Sequence, residues 1–134
     1  MAVIDASVYV ALINARESEH SSSWAWFEQA EAAQEPIVAP VILLAEVSAA
    51  LSRGVGDPAL AHQAVRQLLR SEVIELTPVT TAVAERAAAI AADHRIRGCD
   101  AVYVALAEQL DDCLVTLDQQ QFERGTAVVT VRKP

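Results

Sequence analysis

Apolar residues recur along this chain in two rhythms. Short apolar runs alternate with longer stretches in which apolar positions return every three or four residues. The runs "AVI" (2–4), Ile37–Ala39, "VIEL" (73–76), "CLVTL" (113–117) and "AVVTV" (127–131) are too short for stable helices and predict strands. The longer stretches predict helices over Ala6–Ile13, "WAWFEQAEAA", "VILLAEVSAALSR", Asp57-Pro58 to about Arg70, the alanine-rich 77–96 and "AVYVALAEQL".

The punctuation supports that reading. The polar loop "ESEHSSS" (17–23) precedes a helix in which Trp24 and Phe27 share a face. Pro40 suits the first residue of the next helix, whose stripe is Leu43, Leu44, Val47 and Leu51. Gly98 is expected to end the alanine-rich helix, Asp100 to start the next, and "QQQF" after Asp118 to make a short helical turn. Strands alternating with helices imply an α/β fold with a short, mainly parallel sheet covered on both faces. No repeat or linker divides the chain, so residues 1–134 are expected to form one domain.

Composition narrows the class. At 53% hydrophobic and 21% charged, with alanine abundant and only 4 glycines, the chain is globular and favours helices. No apolar run approaches the roughly 18 residues of a membrane span. Asp5 interrupts the first apolar run before a secretion signal develops. Cys99 and Cys113 lack zinc-ligand spacing and read as reduced thiols. These features lead us to expect a cytoplasmic protein with no membrane contact. The net charge of −8, with Lys133 the only lysine, argues against a protein that coats a nucleic-acid duplex.

Four acids stand in unusual places. Asp5 and Asp118 each follow an apolar strand and precede a helix, which is where ligand sites of open α/β sheets lie. Asp100 opens a helix after a glycine turn, and Glu46 lies within a helix off its leucine stripe. Any one Asp at a helix start is ordinarily an N-cap, and one glutamate on a helix is ordinarily solvated. Several acids with apolar neighbours ask for more, because clustered carboxylates cannot all stay ionised without compensation. A hard divalent cation such as Mg²⁺ provides it, taking carboxylate oxygens while retaining waters. Ser7 beside Asp5, and Thr116 two residues before Asp118, are candidates to orient a carboxylate or a water. As ordinary residues they would be a helix-cap serine and a strand threonine.

Together, "VIDASV", "LLAEVSAAL", "RGCDAVYVALA" and "LVTLDQQQF" resemble the PIN-domain proteins, and more narrowly the VapC toxins of bacterial toxin–antitoxin pairs. The resemblance spans essentially the whole chain. It implies a three-layer α/β/α, FEN-like fold and an endoribonuclease dependent on Mg²⁺ or Mn²⁺. Matched position by position, Asp5, Glu46, Asp100 and Asp118 fall on the family's acidic, metal-binding quartet, and Thr116 on the hydroxyl residue before the last acid. Cys99 stands where many relatives carry a small residue. The resemblance further implies a cognate antitoxin that blocks the site, and a homodimer.

Hydrolysis at such a site leaves a 5′-phosphate. His20, His62 and His94 sit in polar or helical contexts without metal spacing, which does not suit catalysis through the 2′-hydroxyl. An acidic chain must meet RNA locally, and Arg97, Arg95, Arg53 and Arg16 are the candidates, each otherwise a solvated helix-end cation. Trp24, Trp26 and Phe27 serve either the core or a partner's groove. A phosphoryl-accepting receiver domain would need a lysine at a later strand end, and Lys133 lies in the tail. An aspartyl phosphatase would want a second Asp where Ser7 stands. The remaining alternative is a PIN-fold module that binds RNA or protein without cleaving it.

Overall fold

The computed structural model describes all of residues 1–134. Its strands are β1 (Ala2–Ile4), β2 (Ile37–Pro40), β3 (Ile74–Thr77), β4 (Cys113–Val115) and β5 (Val131–Arg132). They form one sheet in the order β3-β2-β1-β4-β5, with every pairing parallel. The helices are α1 (Ala6–Ile13), α2 (His20–Ala32), α3 (Leu43–Ala49), α4 (Pro58–Arg70), α5 (Thr81–His94), α6 (Gly98–Gln109) and α7 (Gln119–Gly125). Sheet and helices make three layers, α/β/α.

The apolar runs explain the centre of the sheet. Every residue of β1, β2 and β4 is buried, as strands covered on both faces require. Val3, Ile4, Ile37 and Leu114 have no exposed surface, and Leu43, Val47 and Leu51 meet them from the α3 stripe. Leu44 is only partly buried against this core. β3, at one edge, is buried only at Ile74 and turns Glu75 to solvent.

Helix starts follow local chemistry. Asp5, Asp57, Thr80 and Asp118 cap α1, α4, α5 and α7, each accepting a hydrogen bond from a backbone N–H three residues on. Their caps thus bring Asp5 and Asp118 to the carboxyl ends of β1 and β4.

Several boundaries differ from the sequence reading. Pro40 closes β2 rather than opening a helix. The Val41 N–H bonds to the Thr77 carbonyl (2.9 Å), extending the β2–β3 ladder, and α3 starts at Leu43. α2 begins at His20, inside the expected loop. α5 stops at His94 because Arg95 takes the left-handed conformation (φ 56°), so Gly98 begins α6 and Asp100 falls in its first turn. β4 ends at Val115, short of the predicted Leu117. In "AVVTV", the N–H groups of Val128 and Val129 both bond to the Gly125 carbonyl (2.9 and 3.0 Å), making a turn and leaving only Val131 for β5. A Cβ on Gly125 would lie 3.2 Å from a Val131 methyl, a tight contact, so the two pack closely here.

The helix begun by α3 changes pitch at Ala50–Gly54, which is π-helical. Such widened turns concentrate at functional sites, and this one carries Arg53 to the rim of the cleft described next.

Candidate active site

A cleft of about 770 Å³ opens at the carboxyl ends of β1 and β4. Asp5, Glu46, Asp100 and Asp118 all line it. β1 and β4 end in Asp5 and, after two more residues, Asp118; α3 supplies Glu46 and α6 supplies Asp100. Four segments far apart in sequence therefore deliver one carboxylate each to a single wall.

Asp5 is the deepest, 3% exposed. Ser7 Oγ donates to its Oδ1 at 2.5 Å, Thr116 Oγ1 donates to its Oδ2, and the Val8 N–H caps it at 3.3 Å. Each hydroxyl is itself oriented by a backbone donor. The Leu117 N–H donates to Ser7 Oγ (2.9 Å) and the Asp118 N–H to Thr116 Oγ1 (3.0 Å). With a donor on each oxygen, both hydroxyl protons turn to the carboxylate. Burial still dominates: it pushes the Asp5 carboxyl up to about 6, against the lowering effect of these hydrogen bonds. The Asp100 charge adds to the rise.

Asp100 is raised for the same first reason, burial, and Arg97 opposes the rise. Arg97 Nε donates to Asp100 Oδ2 (3.0 Å) and its NH2 group lies 3.5 Å from Asp118 Oδ2, so one guanidinium bridges two of the four acids. Glu46 accepts from the Tyr103 hydroxyl at 3.1 Å. Tyr103 is fully buried, and burial together with Glu46 holds its phenol far above the usual range.

The cleft takes in Ser7, Arg97 and Arg53 from the sequence candidates, and buried Thr116 stands behind it on Asp5. Arg95 and Arg16 are not part of its wall. Arg95 ends α5 with its carbonyl held by Arg124, and Arg16 is exposed after α1. Further residues join that the sequence pattern did not single out. Glu17 and Glu19 come from the segment read as a loop, and Gln121 from the turn after Asp118. Tyr103 was legible in principle, since it lies three residues after Asp100 on the same helical face.

No three Asp, Glu, His or Cys side chains are grouped so as to hold a metal ion as they stand. The donor chemistry nevertheless fits a hard divalent cation. The ligands on offer are carboxylate oxygens in an open cleft, and two of them, Asp5 and Asp100, are raised by burial, a shift that a bound cation would oppose. Arg97 now supplies positive charge to Asp100 and Asp118.

A parallel three-layer α/β/α sheet with acids gathered at its carboxyl ends defines a class of fold and site, and comparison with known proteins identifies it. The model of the PIN domain matches residues 2–126, and the chain belongs to the PIN-domain family. Among solved structures, Mycobacterium tuberculosis VapC20, described as a sarcin–ricin loop cleaving toxin, superposes with a TM-score of 0.78 at 22% identity, covering 98% of this chain and 99% of that one. VapBC2 from Rickettsia felis, bound to a DNA fragment from its promoter, gives 0.71 at 17% identity, with 98% and 97% covered. DNA-bound VapBC from Salmonella typhimurium gives 0.72 at 14%, with 98% and 96% covered. No curated protein sequence matches the chain. No helix is long and apolar enough to cross a membrane.

Proposed function

We propose that this protein is a divalent-cation-dependent endoribonuclease, the VapC-type toxin of a toxin–antitoxin pair acting in the cytoplasm. The observation that carries the reading is the convergence of Asp5, Glu46, Asp100 and Asp118 on one cleft in a PIN fold. These four side chains would hold Mg²⁺ or Mn²⁺. The chemistry that such an ion supplies when bound is a lowered pKa for a water and neutralisation of charge on the phosphate.

The chain's own residues do the rest. Ser7 and Thr116 keep Asp5 ionised and aimed, and Tyr103 holds Glu46. Arg97 and Arg53, both on the cleft wall, meet the RNA phosphates, which answers the objection raised by the net charge of −8. The cleft contains no histidine. Water is therefore the nucleophile and the product carries a 5′-phosphate. The toxin–antitoxin complexes among the neighbours support an antitoxin partner; we further propose that it covers the cleft and that the toxin forms a homodimer.

A second reading, a PIN-fold module that binds RNA or protein without cutting, is favoured by the Arg97 bridge over Asp100 and Asp118. One experiment separates the two: RNA cleavage by wild type and Asp5→Asn with Mg²⁺ and with a chelator, followed by end-group analysis. The nuclease reading expects metal-dependent cutting to 5′-phosphate ends, abolished by Asp5→Asn. Equal behaviour of the two proteins, or a 2′,3′-cyclic phosphate, overturns it.

A further inference from the structure

Gln121 is the cleft residue whose chemistry is least explained by packing. It is 2% exposed, yet it carries an amide rather than an apolar side chain. A buried amide is costly unless its donors and acceptor are satisfied. Its Nε2 donates to the backbone carbonyl of Asp100 (3.1 Å). Its backbone N–H donates to Asp118 Oδ1 (2.7 Å). One residue thus ties the first turn of α6 to the first turn of α7, at the two acids that Arg97 also bridges.

The Asp100 carbonyl lies within α6, so the helix ladder has its own use for that oxygen, and the Gln121 bond is an addition to it. The link therefore contributes placement more than satisfaction of an orphan group. The other half of the amide is stranded: Gln121 Oε1 is buried and accepts no hydrogen bond from the protein. Gln121 thus lies on the wall of an acidic cleft with one arm on Asp100 and the other closed off from solvent.

We propose that Gln121 is a positioning residue for the cation site: its Nε2 bond to the Asp100 carbonyl, with its N–H bond to Asp118, sets one acid relative to the other. This rests on the nuclease reading above. Groups that hold a ligand in place from behind, without touching the metal, alter its affinity by about 10- to 100-fold when removed. A purely structural glutamine would instead alter folding stability and leave ion affinity alone.

The test is calorimetric titration of Mn²⁺ and Mg²⁺ into wild type, Gln121→Met and Gln121→Asn, with thermal unfolding of each apo protein. Met keeps the volume and removes both arms. Asn keeps the amide but, one methylene shorter, cannot span from α7 to the Asp100 carbonyl. Exposed Gln120→Met is the control. We expect both Gln121 variants to bind the ions at least about 10-fold more weakly at an apo melting temperature near wild type, and Gln120→Met to bind as wild type does. Wild-type affinity in a folded Gln121→Met protein overturns the proposal while leaving the nuclease reading intact. Should Gln121→Met not fold, Gln121→Asn decides by the same criterion. Absence of saturable binding to the wild type overturns the nuclease reading, and this proposal with it.

Discussion

Thr116 reaches from the end of β4 to donate its hydroxyl proton to Asp5 at the end of β1. The two residues directly follow adjacent parallel strands, so the bond closes the floor of the cleft across the end of the sheet. Thr116→Val keeps the β-branched shape and removes one of three donors to a buried carboxylate. Loss of such a bond costs roughly 1–3 kcal/mol, so urea unfolding at pH 7 should show destabilisation of that order. Carboxylate titration by NMR should place Asp5 above its wild-type value, because a hydrogen bond to the charged form has gone.

Asp5 also makes stability depend on pH. Its carboxyl is raised from 3.8 to about 6 on folding, so the folded state holds the proton more tightly than the unfolded chain. The favourable contribution is fully present below about pH 3.8 and is lost as pH rises through about 6. Asp100 is shifted in the same direction. In chelator, unfolding free energy should fall between pH 4 and 7 by up to about 3 kcal/mol from Asp5 alone. Asp5→Asn should flatten that slope, and Mg²⁺ added at pH 7 should restore stability to the wild type only.

On the proposed function, Arg97 competes with the cation for Asp100 and Asp118. Its side chain is 70% exposed, so each pair is weak and the arginine is free to leave. Arg97→Gln should tighten Mg²⁺ binding by about 2- to 10-fold, the scale on which exposed ion pairs act, while weakening RNA binding. Opposite changes in the two affinities, measured by calorimetry and filter binding, are the diagnostic. A parallel loss of both would mean that Arg97 holds the cleft together instead.

Tyr103 donates its hydroxyl proton to the Glu46 carboxylate at 3.1 Å. Tyr103→Phe preserves the buried ring and frees Glu46 to rotate. We expect a loss of cleavage rate on the order of 10-fold, with little change in the melting temperature, since half-exposed Glu46 can turn to water. A rate equal to wild type would show that Glu46 needs no orientation.

Legibility along the chain followed the range of the forces involved. β1, β2 and β4 were readable because strands buried on both faces leave continuous apolar runs. Asp5 and Asp118 were readable because they end those runs, Glu46 because apolar positions surround it, and Asp100 because it opens a helix after a glycine-containing turn. Pro40 misled because its fixed φ suits a strand's last residue as well as a helix's first. "AVVTV" misled because β-branched residues also pack in turns, and the choice was made by the Gly125 carbonyl. The π-helical turn at Ala50–Gly54, the roles of Glu17, Glu19 and Gln121, and the exclusion of Arg95 and Arg16 depend on how distant segments meet. No local pattern encodes them.

The separation of Thr116 from Asp5, 111 residues, has a consequence for when the cleft can exist. β1 is made before the other strands but lies in the middle of the sheet, and its neighbour β4 is made after β2 and β3. Contacts of such long sequence separation form only once both ends of the chain are free to meet. A nascent or truncated chain thus has its first acid and lacks the floor beneath it. Synthesis itself therefore delays the floor of the cleft until β4 has been made.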